Sequence, residues 1–261
     1  MKTLETELCA YGIEAVRTAA SEGVTRVELC AGPLEGGTTP SAATIELARE
    51  AANNPAGNNN STELHIMIRP RGGDFLYSDD EFAQMRRDIT IAKQAGADGV
   101  VFGLLTPDGD IDTTRAKELV ELARPMECTF HRAFDVARDP MQALEDIIAS
   151  GCRRILTSGQ RATAPEGIEI IGQLTKAANG RIEIMAGSGV NPTNGRALAA
   201  AGIDALHFSA SAVRQGGMRY RSPHVGFSSG CASNDHRLTF ADPTFVRAMV
   251  AIARNADLID N

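Results

Sequence analysis

The chain reads as an α/β protein, a single-domain (β/α)₈ barrel of the TIM type spanning residues 1–261. Three observations predict it. Short apolar runs of strand length alternate with longer amphipathic stretches along the whole sequence. Three helical stretches end in near-repeated stops, Ala95-Gly96-Ala97-Asp98, Ser150-Gly151-Cys152 and Ala201-Gly202-Ile203-Asp204, each leading straight into a strand. About eight strand–helix units fit into 261 residues, a size that barrels reach as one domain. An open doubly wound sheet is the rival, but no Gly-x-Gly-x-x-Gly follows the first strand.

The elements follow in order. Residues 4–9 and 26–30 are short apolar runs that both close in Glu-Leu-Cys-Ala. Further strands are expected near 64–68, 99–102, 127–131, 154–157, 182–186 and 205–208. Helical spacing marks 13–21, 42–52, 80–95, 113–123, 140–150, 166–178 and 193–201, with a last helix over 243–255. Asp112, Asp139 and Asn191 stand where N-caps belong, and Pro140 and Pro192 follow two of them. Two stretches fall outside the pattern. Residues 53–61 are Asn-rich and polar, and read as a mobile loop away from the chemistry. The Ser/Gly-rich stretch 222–236 follows strand eight and reads as a flexible loop or a lid.

Composition narrows the class. With 43% hydrophobic residues the chain can bury a large core. A formal net charge of -7 argues against a phosphate-backbone footprint, so nucleic acid is not an expected partner. Five cysteines, an odd number, show no Cys-x-x-Cys pair and no disulfide framework. Neither a signal peptide nor a membrane-length apolar run is evident, so the cytoplasm is the expected compartment.

Candidate site residues come from the strand ends. Side chains alternate faces along a strand, so Glu7 with Cys9, and Glu28 with Cys30, share a face. If these strands are parallel neighbours, two thiols and two carboxylates converge, an arrangement that is unfavourable unless it binds or reacts. Two thiolates suit Cu(I); zinc calls for about four ligands, and no His stands at a matching spacing. Buried apolar packing is the plain alternative for a free Cys, and Cys128 and Cys152 read that way, with Cys231 in a loop.

Strand three ends in Arg69-Pro70-Arg71-Gly72-Gly73-Asp74, where two Arg can grip an anion or simply brace the barrel end on acidic neighbours. Strand five ends in Thr129-Phe130-His131-Arg132, and His131 faces inward as an acid–base group, a metal ligand or a structural His. Strand six ends in Leu156-Thr157-Ser158. Gly187-Ser188-Gly189 and Ser209 follow strands seven and eight, where barrels bind phosphate on backbone N–H groups.

Taken together, these segments resemble the CutC family, often called copper homeostasis proteins. The resemblance is carried by Glu28-Leu29-Cys30 with Glu35-Gly36-Gly37-Thr38-Thr39-Pro40-Ser41, and by Ile68-Arg69-Pro70-Arg71-Gly72-Gly73-Asp74-Phe75. It continues through Thr129–Asp135, Leu156–Gln160, Met185–Val190 and Met218–Arg221. It implies a cytoplasmic barrel that tends to form homo-oligomers, dimer or tetramer, and a role in copper handling through Cu(I), with Cys9 and Cys30 at the family's proposed copper ligands. The alternative is an enzyme of unknown reaction on a small anionic or phosphorylated substrate. There Arg69, Arg71, Arg132 and Ser158 hold an anion, Gly187, Ser188, Gly189 and Ser209 cradle phosphate, and His131 with Glu28 or Asp74 moves protons. A scaffold that only oligomerises is the third reading.

Overall fold

The structure is a computed structural model and describes residues 4–53, 61–222 and 236–256. Eight parallel strands close into a barrel in chain order. They are β1 (Glu5–Ala10), β2 (Arg26–Leu29), β3 (Glu63–Met67), β4 (Gly99–Phe102), β5 (Glu127–Phe130), β6 (Arg154–Thr157), β7 (Glu183–Ala186) and β8 (Ala205–Phe208). Helices α1 (Ile13–Glu22), α2 (Ala42–Asn53), α3 (Asp79–Gln94), α4 (Thr113–Ala123), α5 (Pro140–Ser150), α6 (Ile168–Ala178) and α7 (Gly195–Ala199) lie between successive strands. Strand β8 pairs back on β1 with Glu7 opposite His207, which closes the ring.

Alternation sorts the strand residues into two layers. Leu8, Leu29, Ile66, Phe102, Phe130 and Ile155 point outward and are buried with the apolar stripes of the helices. The inward set is mixed, with buried charges beside two small apolar clusters, Cys30, Met67 and Val101 on one side and Leu156, Met185 and Ala205 on the other. Near the amino end of the strands, Arg26 meets Glu7 at 2.6 Å, Glu5 at 2.9 Å and Glu63 at 3.2 Å. Arg154 answers from the other side, 2.6 Å from Glu183 and 3.3 Å from Glu127. Buried charges are tolerated only when paired in this way, and the network plugs the floor of the barrel. The carboxyl end stays open.

Local signals explain the boundaries. Gly96, Gly151 and Gly202, the three expected stops, all take left-handed φ values of 78°, 88° and 85°. Two of those stops also carry an acid that accepts a strand N–H: Asp98 from Leu64 at 2.8 Å and Asp204 from Ile184 at 2.7 Å. Asp112 and Asp139 cap α4 and α5 as expected. Asn191 does not cap a helix. Its side chain accepts from Thr193 within a turn, and α7 begins only at Gly195, with Asn194 at its cap position. Helix α3 gains a capping box from Ser78 and Glu81 that starts it at Asp79.

After strand eight the chain forms an antiparallel hairpin, β9 (Ser211–Gln215) and β10 (Arg237–Ala241), before α8 (Pro243–Ala256). The expected elements do not include these two strands, which flank the Ser/Gly-rich stretch. Of the two irregular segments, residues 54–60 and 223–235 lie outside the described residues.

Candidate metal and ligand site at the barrel mouth

Strands β1 and β2 are parallel neighbours with Cys9 opposite Glu28. One more step along β2 brings Cys30 to the same inner face, where its backbone N–H donates to the Ala10 carbonyl at 2.8 Å. Ligand atoms of Cys9, Glu28 and Cys30 all lie within 4.8 Å of one another. Cys30 is buried against Met67 and Val101, and Cys9 packs on the same cluster. Gly36 and Gly37, both with left-handed φ, fold the following loop over the thiols; a Cβ on Gly37 would sit 3.3 Å from the Cys30 sulfur.

The closing strand adds His207. Its Nδ1 donates to Glu7 at 2.8 Å, and its Nε2 stands 3.6 Å from Glu28. Burial opposes charge on His207, but Glu28, Cys9 and Glu7 together hold it well above the ordinary imidazole range. For Glu7, burial is likewise overcome by the His207 hydrogen bond and by Arg26, which hold it far below the usual carboxylate range. The Cys30 thiol donates to the Cys9 sulfur and holds Cys9 well below the usual thiol range, with His207 adding to the effect. Cys30, sharing that proton, is pushed up. Burial pushes Glu28 well above the usual carboxylate range, and its Oε1 has no partner among the described residues. The cluster therefore gathers two carboxyls and two thiols around one imidazole, with Glu7 and Cys9 pushed towards their charged forms and Glu28 and Cys30 towards their neutral ones.

Of these groups Cys9, Glu28 and His207 line a cavity of about 520 Å³, whereas Cys30 and Glu7 are not part of its lining. His131 lines its far wall, with Phe75 at 5.0 Å between ring centres. Its Nδ1 accepts from Ala133 N–H at 3.1 Å, so Nε2 carries the proton, and Nε2 has no partner among the described residues. Burial and the nearby Arg69 push its pKa down to about 3, which favours the neutral ring with its proton on Nε2. Arg132 lines the same wall and is held by Asp135 at 2.8 Å and Ser158 at 3.0 Å. Ser188, Gly189 and Ser209 complete the rim.

Other expected site residues take different places. Arg69 borders the cavity, but its guanidinium donates to the carbonyls of Gly37 at 2.9 Å and Gly73 at 2.8 Å. It clamps the loops that cover the thiols. Arg71 pairs with Asp74 at 3.1 Å and with Glu81, and neither Arg71 nor Asp74 lines the cavity. Gly187 gives its N–H to the Thr157 carbonyl at 2.9 Å, and its missing side chain leaves room for Leu156 first and for His207 beside it. The structure also supplies groups that sequence reading did not assign: His207, Tyr11 and Asp135. The expectation that no His accompanies the cysteines fails because β8 closes on β1, joining residues 200 positions apart.

An eight-stranded parallel barrel with paired thiols, a histidine and a buried acid at its carboxyl mouth is the class of protein this geometry defines. A family model described as the CutC family matches residues 4–212, and the chain belongs to that family. A family protein CutC of Bacteroides fragilis is 50% identical over 226 residues, 86% of this chain and 87% of its own. The copper homeostasis protein cutC homolog of Mus musculus is 44% identical over 250 residues, 95% of this chain and 89% of its own. Among solved structures, CutC from Streptococcus agalactiae superposes with a TM-score of 0.72 at 34% identity, covering 78% of this chain and 97% of that one. No helix among the described residues is long and apolar enough to cross a membrane.

Proposed function

We propose that this chain acts in copper homeostasis by binding Cu(I) between Cys9 and Cys30. The observation that carries the reading is the pair of sulfurs within 4.8 Å of each other and of Glu28, in a pocket shielded by Met67 and Val101. Soft thiolates at low coordination number favour Cu(I) over harder ions. Tetrahedral zinc wants further ligands, and His207 is a poor one because its Nδ1 proton is given to Glu7 and its charge is held by its neighbours. The names of the relatives agree with a copper role. Such a thiol pair stays reduced in the cytoplasm, the compartment that suits this function.

Titration of reduced protein with Cu(I) against a chromophoric Cu(I) chelator tests the reading. The wild type is expected to take about one copper per chain, and the Cys9→Ser/Cys30→Ser variant to lose at least tenfold in affinity. Equal affinity in the double variant would refute the assignment.

A second reading is supported by the cavity itself. Two thiols do not need a neutral His131 donor, Arg132 and an acid with an unpartnered oxygen facing a volume of about 520 Å³. Unpartnered buried polar atoms of that kind mark a ligand site, here for a small anion.

A further inference from the structure

We propose that the wall of the cavity opposite the thiols is a subsite for a small organic monophosphate. Its phosphate would sit between Arg132 and the backbone N–H groups of Gly189 and Val190, and a hydroxyl or carbonyl oxygen would accept from His131 Nε2–H. The inference rests on the second reading above and names the class of its ligand.

Four observations carry it. First, Arg132 is built into position. Asp135, with its side chain only 6% exposed, accepts from Arg132 Nε and also from Thr157 and from the backbone N–H groups of Ser158 and Gln160. Ser158 Oγ takes Nη2 at 3.0 Å, so the guanidinium is fixed while Nη1 has no acceptor among the described residues. Fixed guanidinium groups grip phosphate oxygens through several parallel donors.

Second, the turn after β7 frees two donors. Ser188 and Gly189 take φ values of 77° and 72°. The Ser188 carbonyl accepts from Ala164 N–H at 2.9 Å, and the Gly189 carbonyl accepts from Asn194 at 2.9 Å and Asn191 at 3.1 Å. In a trans peptide the N–H points opposite to its carbonyl. The N–H groups of Gly189 and Val190 therefore point away from those anchors, and neither has an acceptor among the described residues. Successive N–H groups of such a turn form an anion-binding concavity.

Third, His131 is 4% exposed, lines the same cavity, and leaves Nε2–H unpartnered there. Because Nδ1 is spent on Ala133 N–H, the free nitrogen can only donate. It asks for an acceptor oxygen that a bare phosphate on Arg132 does not have to provide. Fourth, the thiols and His207 stand on β1, β2 and β8, whereas Arg132 and His131 follow β5 and the turn follows β7. Copper and an organic phosphate thus use different strands of one barrel.

Calorimetric titration with inorganic phosphate, glycerol 3-phosphate and malonate tests the proposal on copper-free protein with the thiols reduced. Both phosphates are expected to bind the wild type saturably, glycerol 3-phosphate more tightly. Arg132→Gln is expected to weaken both at least tenfold, and His131→Phe to weaken only glycerol 3-phosphate. An unchanged melting temperature separates loss of the donor from loss of the fold, and Arg132→Lys, retaining charge, should recover part of the binding. Malonate binding that depends on Arg132, without phosphate binding, would overturn the phosphate class and leave an anion site standing. Binding of none of the three would overturn both, as would phosphate binding indifferent to Arg132→Gln.

Discussion

At the scale of single residues, protons decide what the cluster does. Cys9 is pushed towards the thiolate by the Cys30 thiol and by His207, while Cys30 is pushed towards the thiol. On the proposed assignment, Cu(I) held by both cysteines would displace the thiol proton of Cys30, since the ligand form is the thiolate. About one proton should therefore leave per Cu(I) bound near neutral pH. Calorimetry in two buffers of different ionisation enthalpy counts it, and zero protons would mean that Cys30 is not a ligand. The twin Glu-Leu-Cys-Ala segments were legible as one site because strand alternation and parallel pairing need only local sequence. His207 was not, because its place depends on which strand closes the ring. The clue was available in the barrel reading itself, since strand eight of a closed barrel must neighbour strand one.

At the scale of elements, the loops are held by their own polar groups, and that separates the expected anion residues into two sets. Arg69 and Arg71 look alike in sequence, yet both spend their guanidinium groups on carbonyls and carboxylates of neighbouring loops. Arg132 is different because Asp135 takes only part of it. Asp135 also ties the turn after β5 to β6 through Ser158 and Thr157. Removing it strands several buried donors, so Asp135→Ala should destabilise by about 3 kcal/mol. Asp74→Ala, with a side chain 75% exposed, should stay within about 1 kcal/mol. Chemical denaturation measures both, and equal effects would contradict the assigned roles. Sequence motifs could not sort these residues, since Arg-rich turns look the same whether their donors face a ligand or a carbonyl.

At the scale of the molecule, the barrel interior carries charged and polar layers beside two small apolar clusters, all inside an apolar ring. The inner face of β2 carries Arg26 and Glu28, that of β3 carries Glu63 and His65, and that of β5 carries Thr129 before His131. This alternation made the fold readable, while the hairpin β9–β10 escaped because its strands are far apart in sequence. The interior also sets a pH response. Burial, helped by neighbouring Arg, pushes His65 and His131 down to about 3. Both are neutral when folded but take up a proton when unfolded below about 6.5. Stability should therefore fall as pH drops from 6.5 towards 3, by up to about 1.4 kcal/mol per pH unit for each. His207 acts oppositely: its raised pKa contributes stability below 6.5 that is lost only as pH rises through the raised value. His65→Gln should remove about half of the slope between about pH 6.5 and 5.5 in thermal melts, above the range where carboxylates of the unfolded chain titrate. An unchanged slope would show that His65 is not held neutral.

The paired sulfurs remain the centre of the account, and X-ray absorption at the copper edge probes them most directly. Protein loaded with one equivalent of Cu(I) is predicted to show a first shell of sulfur, lost in Cys9→Ser/Cys30→Ser. A first shell of nitrogen and oxygen alone in the wild type would contradict it.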